Sequence, residues 1–404
     1  MLFDPARHET LQPIAWDAAR ARAAIARIVE ETEASYAPDR YWPLHPLDLE
    51  PGDDLTLPST TLYYGACGVI WALHYLQALG AATLARSYLD DLDALRACHR
   101  ASRAAFGSDA VASYLMGDTP ILMLAHGHAP TPARADELAA LIRGNIDHPT
   151  RELMWGAPGT MLAALFLHQR TGDERFADLF RATAARLWSQ LHWSPEHRCA
   201  YWTQDMYGQN STYLDAAHGF VATCLPLIRG RHLLDAADWT AWQACIANTI
   251  SRTAIREGAL VNWPCWLVRP GDRPGPALMQ YCHGAPGFVV CLADFPGDTL
   301  DALLVAAGEA VWAAGPLAKG ASLCHGTGGN GYAFLALYRR TRETIWLDRA
   351  RAFAMHALAQ MEAEAQRRGH LRFSLWTGDP GLAIYLWDCL RGAAAFPTLD
   401  VFYA

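Results

Sequence analysis

The sequence predicts an all-α protein in which seven buried helices alternate with seven amphipathic helices and close into a ring within a ring. Three observations predict this fold class. A glycine-containing turn recurs along the chain, a mostly apolar run follows each turn, and segments with one apolar stripe lie between the runs. The turns are roughly 40 to 65 residues apart, the length of one helical hairpin with its loops in an all-α repeat.

Each apolar run is expected to form one buried inner helix, because it is hydrophobic on all sides. A strand is the alternative for a short apolar run, but Ala, Leu and Met are prominent and turn signals do not bracket the runs at strand spacing. In chain order the seven runs are YYGACGVIWALHYL from Tyr63, LMGDTPILMLA from Leu115, MWGAPGTMLAALFLH from Met154, AAHGFVATCLPLI from Ala216, CHGAPGFVVCLADF from Cys282, CHGTGGNGYAFLALY from Cys324 and WTGDPGLAIYLWDCL from Trp376.

The segments between the runs are expected to form the outer helices. Four of them show the spacing of an amphipathic helix clearly: ARADELAALIRGNI, ERFADLFRATAARLWSQLHW, DWTAWQACIANTISRTAI and WLDRARAFAMHALAQMEAEAQRR. In such a double ring the glycine turns lie at one end of the inner helices. A turn there needs a backbone that avoids Cβ clashes and can take positive φ. Residues beside the turns would then face a shared mouth.

Two irregular stretches, 38–58 and 263–276, are rich in Pro or Gly and are predicted to be loops rather than domain linkers. We therefore expect residues 1–404 to form a single domain. The 52% hydrophobic and 18% charged residues describe a globular chain with a large core.

The net charge of the chain limits the classes of partner that it is expected to bind. A net charge of -8 and a pI near 6.0 argue against nucleic acid and anionic membranes, which need a basic face. We find no secretory h-region at the N-terminus and no apolar run of the ~18 residues that span a bilayer. We expect a cytoplasmic protein without a membrane span.

The ten cysteines show no disulfide framework, so reduced thiols and metal ligands are expected. Three lie inside apolar runs and are predicted to be core residues: Cys224, Cys291 and Cys389.

Two Cys-His-Gly units stand at the fifth and sixth turns. Cys282 and Cys324 with one histidine supply three zinc ligands and leave the fourth tetrahedral position open, as in a catalytic site. Because a thiol is deprotonated on binding zinc, the set indicates activation of a thiolate. Buried thiols without a metal are the alternative. His283 and His325 compete as the third ligand, and the residues alone leave that choice open.

Three further side chains are candidates for chemistry. His218 precedes the glycine of the fourth turn and can act as a general acid or base, although a core histidine is the alternative. Glu152 lies just before the third turn as a possible acid–base or supporting carboxylate, or a surface residue. Lys319 could bind a substrate carboxylate or stabilise an enolate, although most lysines are simply exposed.

Five motifs resemble the LanC-like family, which comprises the lanthionine synthetase cyclases and their relatives. They are ELMWGAPG at 152–159, AAHGF at 216–220, YCHGAPG at 281–287, LCHGTGGNGYAFLALY at 323–338 and FSLWTGDPGLAIYLWD at 373–388. The resemblance spans most of the chain after about residue 60. It implies an α/α toroid of seven inner and seven outer helices. It also implies that Cys282, Cys324 and His325 bind zinc, and leaves His283 as a pocket residue.

The resemblance also assigns His218 as the active-site histidine and Glu152 as its acidic companion. Peptide cyclases of the family tend to have Asp and Tyr where this chain has Glu152 and His283. Lys319 matches a lysine implicated in handling glutathione, and the arginine of the cyclases before the first zinc cysteine has no match in PALMQYC. The chain therefore looks closer to the glutathione-using branch.

The function implied by the resemblance is zinc-dependent thioether formation. A thiolate, from glutathione or another thiol, would add to a dehydroalanine or dehydrobutyrine residue of a peptide or protein. The alternatives are intramolecular lanthionine formation on a dehydrated precursor peptide, a non-catalytic zinc protein that binds glutathione or a peptide, and an α/α-toroid sugar enzyme that uses Glu152 and another carboxylate.

Overall fold

The computed structural model describes residues 1–49, 57–105, 110–268 and 275–404. The predicted loops 38–58 and 263–276 fall partly outside these ranges. The described residues form fourteen α-helices: α1 (Ala18–Ala34), α2 (Ala66–Ala78), α3 (Leu92–Ala105), α4 (Thr119–His128), α5 (Pro132–Asn145), α6 (Ala157–Thr171), α7 (Glu174–Ser189), α8 (Phe220–Arg229), α9 (Ala236–Thr253), α10 (Ala285–Leu292), α11 (Asp301–Ala314), α12 (Thr327–Thr341), α13 (Thr344–Arg368) and α14 (Asp379–Arg391).

The even-numbered helices form a closed inner ring. Each of them contacts the next even-numbered helix, from α2 through α4, α6, α8, α10 and α12 to α14, and α14 contacts α2. The odd-numbered helices pack outside this ring: α1 on α14, α3 on α4, α5 and α7 on α6, α9 on α8, α11 on α10, and α13 on α12. The predicted all-α double ring is confirmed.

The burial of the helices follows from their sequence patterns. In α6 every residue from Ala157 to Leu167 is buried, as expected for a run that is apolar on all sides. In α7 the buried residues recur every three or four positions and the charged ones face outward. Each large apolar side chain buried in this way contributes roughly 1.5–3 kcal/mol. The three cysteines predicted to lie in the core are buried.

Three short antiparallel hairpins, which the sequence pattern did not predict, lie in the connections between helices. They pair β1 (His192–Ser194) with β2 (Cys199–Tyr201), β3 (Gln204–Met206) with β4 (Gln209–Ser211), and β5 (Ile255–Glu257) with β6 (Leu260–Asn262). Strands of three residues are too short to show a recognisable alternation. No helix within the described ranges is long and apolar enough to cross a membrane.

The seven glycine turns meet at one end of the inner ring, and a ladder of backbone hydrogen bonds joins six of them. In five of the turns, the residue two places before the turn glycine donates its N–H to the carbonyl of the corresponding residue in the next turn: Cys282 to Cys324 (3.0 Å), Cys324 to Trp376 (2.9 Å), Trp376 to Tyr63 (3.1 Å), Tyr63 to Leu115 (3.1 Å) and Leu115 to Met154 (3.3 Å). The ladder crosses from the last turn to the first, so the ring also closes at the mouth.

Close packing, rather than positive φ, explains most of the turn glycines. Gly156, directly before α6, has φ −100° and an extended backbone, but a Cβ there would overlap the carbonyl oxygen of Thr150. Gly284, before α10, has φ 115° and so needs glycine for its conformation as well. The expectation of positive φ is therefore right for Gly284 and wrong for Gly156.

Candidate metal and acid–base site

The three predicted metal ligands converge at the mouth. The Sγ atoms of Cys282 and Cys324 and a ring nitrogen of His325 all lie within 4.8 Å of one another. Zinc–sulfur bonds of about 2.3 Å in a tetrahedral site place ligand atoms nearly 4 Å apart, so these atoms need only a small contraction to close on one ion. Both thiols are buried and His325 is partly exposed. The donor set fits zinc and leaves one side of the site open.

Each ligand sulfur accepts a hydrogen bond from a side chain that sequence reasoning did not assign to the site. Tyr63 Oη donates to Cys324 Sγ at 2.8 Å, and Gln280 Nε2 donates to Cys282 Sγ at 3.0 Å. A hydrogen bond from the Cys282 thiol, helped by His325, holds the pKa of Cys324 well below its usual range despite burial. The pocket therefore favours a thiolate at Cys324, the form that binds a metal.

Buried Glu152 and partly exposed His218 form a carboxylate–histidine pair. Glu152 Oε2 accepts the N–H of Met154 at 2.8 Å and Oε1 accepts that of Trp155 at 2.5 Å, so the carboxylate caps its own turn. The same Oε2 lies 2.9 Å from Nδ1 of His218 in the next turn. Burial lowers the pKa of His218, but the hydrogen bond and charge of Glu152 outweigh it and raise that pKa. Glu152 and His218, which the sequence analysis named as separate candidates for chemistry, are therefore in direct contact.

Asp215 and His283 repeat this arrangement one turn later. Asp215 Oδ1 accepts the N–H groups of Ala217 at 3.0 Å and His218 at 2.7 Å, while Oδ2 lies 2.6 Å from His283 Nδ1. Burial lowers the pKa of His283, but the Asp215 carboxylate raises it to about 11. The ring centroids of His218 and His283 are 6.5 Å apart. His283 is therefore held by Asp215 beside the predicted acid–base histidine.

Sequence reasoning missed Asp215, although a signal for it exists. Glu152 precedes Gly156 by four residues, and Asp215 precedes Gly219 by the same distance. The backbone ladder is interrupted at both carboxylates. Glu152 accepts the N–H of Met154 and Asp215 accepts that of Ala217, whereas the equivalent N–H in the other turns donates to a carbonyl of the neighbouring turn. Between the third, fourth and fifth turns, the side-chain pairs Glu152–His218 and Asp215–His283 replace the backbone hydrogen bonds of the ladder.

Lys319 shares a cavity with one of the three predicted metal ligands. It is exposed and lines a cavity of about 710 Å³ that His325 also lines, whereas His218 and Glu152 do not line it. The cavity carries further basic side chains and several acids: His45, His370, Arg367, Arg372, Glu9, Glu364 and Asp379. The structure thus places Lys319 in one cavity with His325, away from the Glu152–His218 pair, which does not line that cavity.

Comparisons with known proteins agree with this architecture. A family model described as lanthionine synthetase C-like protein matches residues 20–401. The LanC-like protein GCL1 of Arabidopsis thaliana is 30% identical over 247 residues, covering 58% of this chain and 54% of that protein. The glutathione S-transferase LANCL1 of Danio rerio is 28% identical over 270 residues, 62% of each. The alignments thus span somewhat over half the length of these relatives.

The solved structure of nisin cyclase shares the fold. It aligns with 92% of this chain and 93% of its own chain at a TM-score of 0.60, with 16% sequence identity. The family model matches residues 20–401, and the double ring with its converging glycine turns agrees with that match. The chain belongs to the lanthionine synthetase C-like family.

Proposed function

We propose that this protein forms thioether bonds by adding the thiol of glutathione to the β-carbon of a dehydroalanine or dehydrobutyrine residue in a peptide or protein. The observation that carries the proposal is the convergence of Cys282, Cys324 and His325 at one end of the ring, beside the Glu152–His218 pair. The names of the relatives support it, since one is a glutathione S-transferase and the shared fold is that of a cyclase.

The donor set is suited to zinc, because two sulfurs and one imidazole nitrogen leave a fourth position open. Zinc bound there would keep an incoming thiol as the thiolate at neutral pH. Tyr63 and Gln280 hydrogen-bond the two cysteine sulfurs and fix their orientation. His325 presents its partly exposed ring to the cavity from which the thiol would arrive.

The addition needs one proton donor on the acceptor side. The thiolate sulfur forms a bond to the β-carbon, the electrons of the double bond move onto the α-carbon and its carbonyl, and a proton must then reach the α-carbon. His218 can deliver it, because the hydrogen bond and charge of Glu152 raise its pKa and so favour the protonated ring. Glu152 holds Nδ1, which leaves Nε2 to transfer the proton. The proton lost by the thiol balances the one gained by the product.

The cavity beside His325 suits glutathione, which carries two carboxylates and one ammonium group. Lys319 offers a cationic partner for a carboxylate. Arg367 and Arg372 also line the cavity but already form ion pairs with Glu364 and Asp48, so a glutathione carboxylate would share them with these acids. We assign Lys319 to binding a carboxylate in this cavity. His283, held by Asp215 on the His218 side, is assigned to the pocket that receives the dehydro residue.

The test is adduct formation on a dehydroalanine peptide, followed by mass spectrometry. With glutathione present, wild type should yield a peptide heavier by one glutathione, and Cys324→Ala should yield none. Cys245→Ala, which alters a half-buried thiol on the outer helix α9, is the matched control and should keep activity. Equal yields from wild type and Cys324→Ala would overturn the proposal. Ring closure in a cysteine-containing dehydrated peptide, without glutathione uptake, would identify a cyclase instead.

A further inference from the structure

The hairpin β3–β4 is fastened to both turns that carry the acid–base pair. Thr150, just before the third turn, bridges Gln204 and donates its hydroxyl to the carbonyl of Asp205 at 2.5 Å. Gln204 Oε1 accepts the N–H of Tyr213, just before the fourth turn, at 2.8 Å. The hairpin therefore has a defined position relative to Glu152 and His218, rather than projecting freely.

The tip of this hairpin places a tyrosine over the third turn. Met206 pairs with Gln209, so Tyr207 and Gly208 form a two-residue loop with φ 53° and 73°. Tyr207 is 72% exposed, and its hydroxyl accepts the indole N–H of Trp155 at 3.0 Å. Trp155 directly precedes its turn glycine, the position that His218 occupies in the next turn.

The conformation of Tyr207 suggests that its side chain serves something other than the fold. Two-residue hairpin loops with positive φ at both positions favour Asn, Asp or Gly at the first, and a bulky side chain there is disfavoured. An exposed ring also contributes little to the core. A tyrosine that is disfavoured locally, exposed and hydrogen-bonded to a residue at the mouth is a candidate for contact with a ligand.

We propose that Tyr207 and Trp155 form the surface on which the acceptor peptide lies while its dehydro residue reaches His218. This inference rests on the proposed function. The aromatic pair lies on the Glu152–His218 side, and neither ring lines the cavity assigned to the thiol. Aromatic faces pack well against peptide groups and apolar side chains and lose little conformational entropy on binding. The occupant is therefore the stretch of acceptor peptide that flanks the dehydro residue.

Binding of a labelled peptide tests the surface without requiring turnover. A fluorescein-labelled decapeptide with a central dehydroalanine would be titrated with wild type, Tyr207→Asn and Trp193→Ala, and Kd read from anisotropy. Tyr207→Asn should weaken binding about fivefold or more without lowering Tm, because Asn suits the loop. Trp193→Ala, which removes an aromatic ring that is 60% exposed on the hairpin β1–β2, is the matched control and should stay within about twofold.

A kinetic comparison separates this proposal from the reaction itself. With the decapeptide and with N-acetyl-dehydroalanine methyl ester as acceptors, Tyr207→Asn should lose about fivefold more kcat/KM on the peptide than on the ester, mainly through KM. Equal Kd for wild type and Tyr207→Asn, or no peptide binding by wild type, would overturn the proposal. Peptide binding through Tyr207 without glutathione addition would retain the surface and refute the reaction.

Discussion

Glu152 and Asp215 occupy the same place in consecutive turns and each holds the histidine of the following turn. The sequence predicted His218, Glu152 and His283 as site residues, but their pairing joins positions 66 and 68 residues apart along the chain. Such pairing depends on how the turns stack, which local patterns do not show. Asp215 could have been found from the sequence, because it precedes its turn glycine by the same four residues as Glu152.

Glu152→Gln should move the basic limb of the pH–rate profile to lower pH. The neutral amide keeps the shape of the side chain but removes the charge that raises the pKa of His218. The reaction needs protonated His218, so activity is present below that pKa and is lost as pH rises through it. Glu174→Gln, an exposed acid on α7, is the control. An unmoved basic limb in Glu152→Gln would show that His218 is not the proton donor.

Tyr63→Phe should weaken zinc binding about tenfold, because it removes the hydrogen bond that orients the Cys324 sulfur. The affinity can be measured by competition with a chromophoric chelator, independently of activity. Tyr201→Phe, on the hairpin strand β2, is a control that leaves the site intact. Equal affinities for Tyr63→Phe and wild type would mean that the tyrosine does not support the ligand.

At the scale of the element, a second glycine determines how each inner helix packs. Five turns read Gly-x-x-Gly, and the second glycine lies against the previous turn: Gly68, Gly159, Gly287, Gly329 and Gly381. The sequence predicted the turns and the buried helices because their apolar runs are unmistakable. It did not predict this close approach, since the neighbour comes from another repeat.

Replacing glycine by alanine should have opposite effects on stability at two helical positions. A Cβ at Gly287 in α10 would overlap the carbonyl oxygen of Tyr281 and the Cβ of Ala216, so Gly287→Ala should destabilise by roughly 1–3 kcal/mol. A Cβ at Gly144 in α5 meets nothing within 4 Å, so Gly144→Ala should stabilise by roughly 0.5–1 kcal/mol. Thermal and urea unfolding would measure both. Equal effects would contradict this packing.

At the scale of the whole molecule, the ring brings the two halves of the site together. The proposed metal ligands belong to the fifth and sixth turns. The hydroxyl group that donates a hydrogen bond to Cys324 belongs to Tyr63 in the first turn, across the contact between α14 and α2. The double ring could be predicted from the repeat of turns and apolar runs. The contribution of Tyr63 could not, because only closure of the ring brings its side chain within reach of the sixth turn.

Removal of the metal should therefore lower the stability of the whole ring. A ligand present at a thousandfold above its Kd stabilises the folded state by about 4 kcal/mol, so chelation should lower Tm by several degrees. We expect one cooperative transition, since α14 packs on α2 and no helix of the inner ring is left at an edge. Cys324→Ala should be insensitive to the chelator. A chelator-sensitive Tm in that variant would place the metal elsewhere.

The most direct test of the central claim is the intact mass of a dehydroalanine peptide incubated with glutathione and the protein. The account predicts an adduct of one glutathione that disappears when the metal is chelated and returns when zinc is restored. A protein that binds one zinc per chain and gives no adduct would contradict it. An adduct whose yield is the same before and after chelation would contradict it as well.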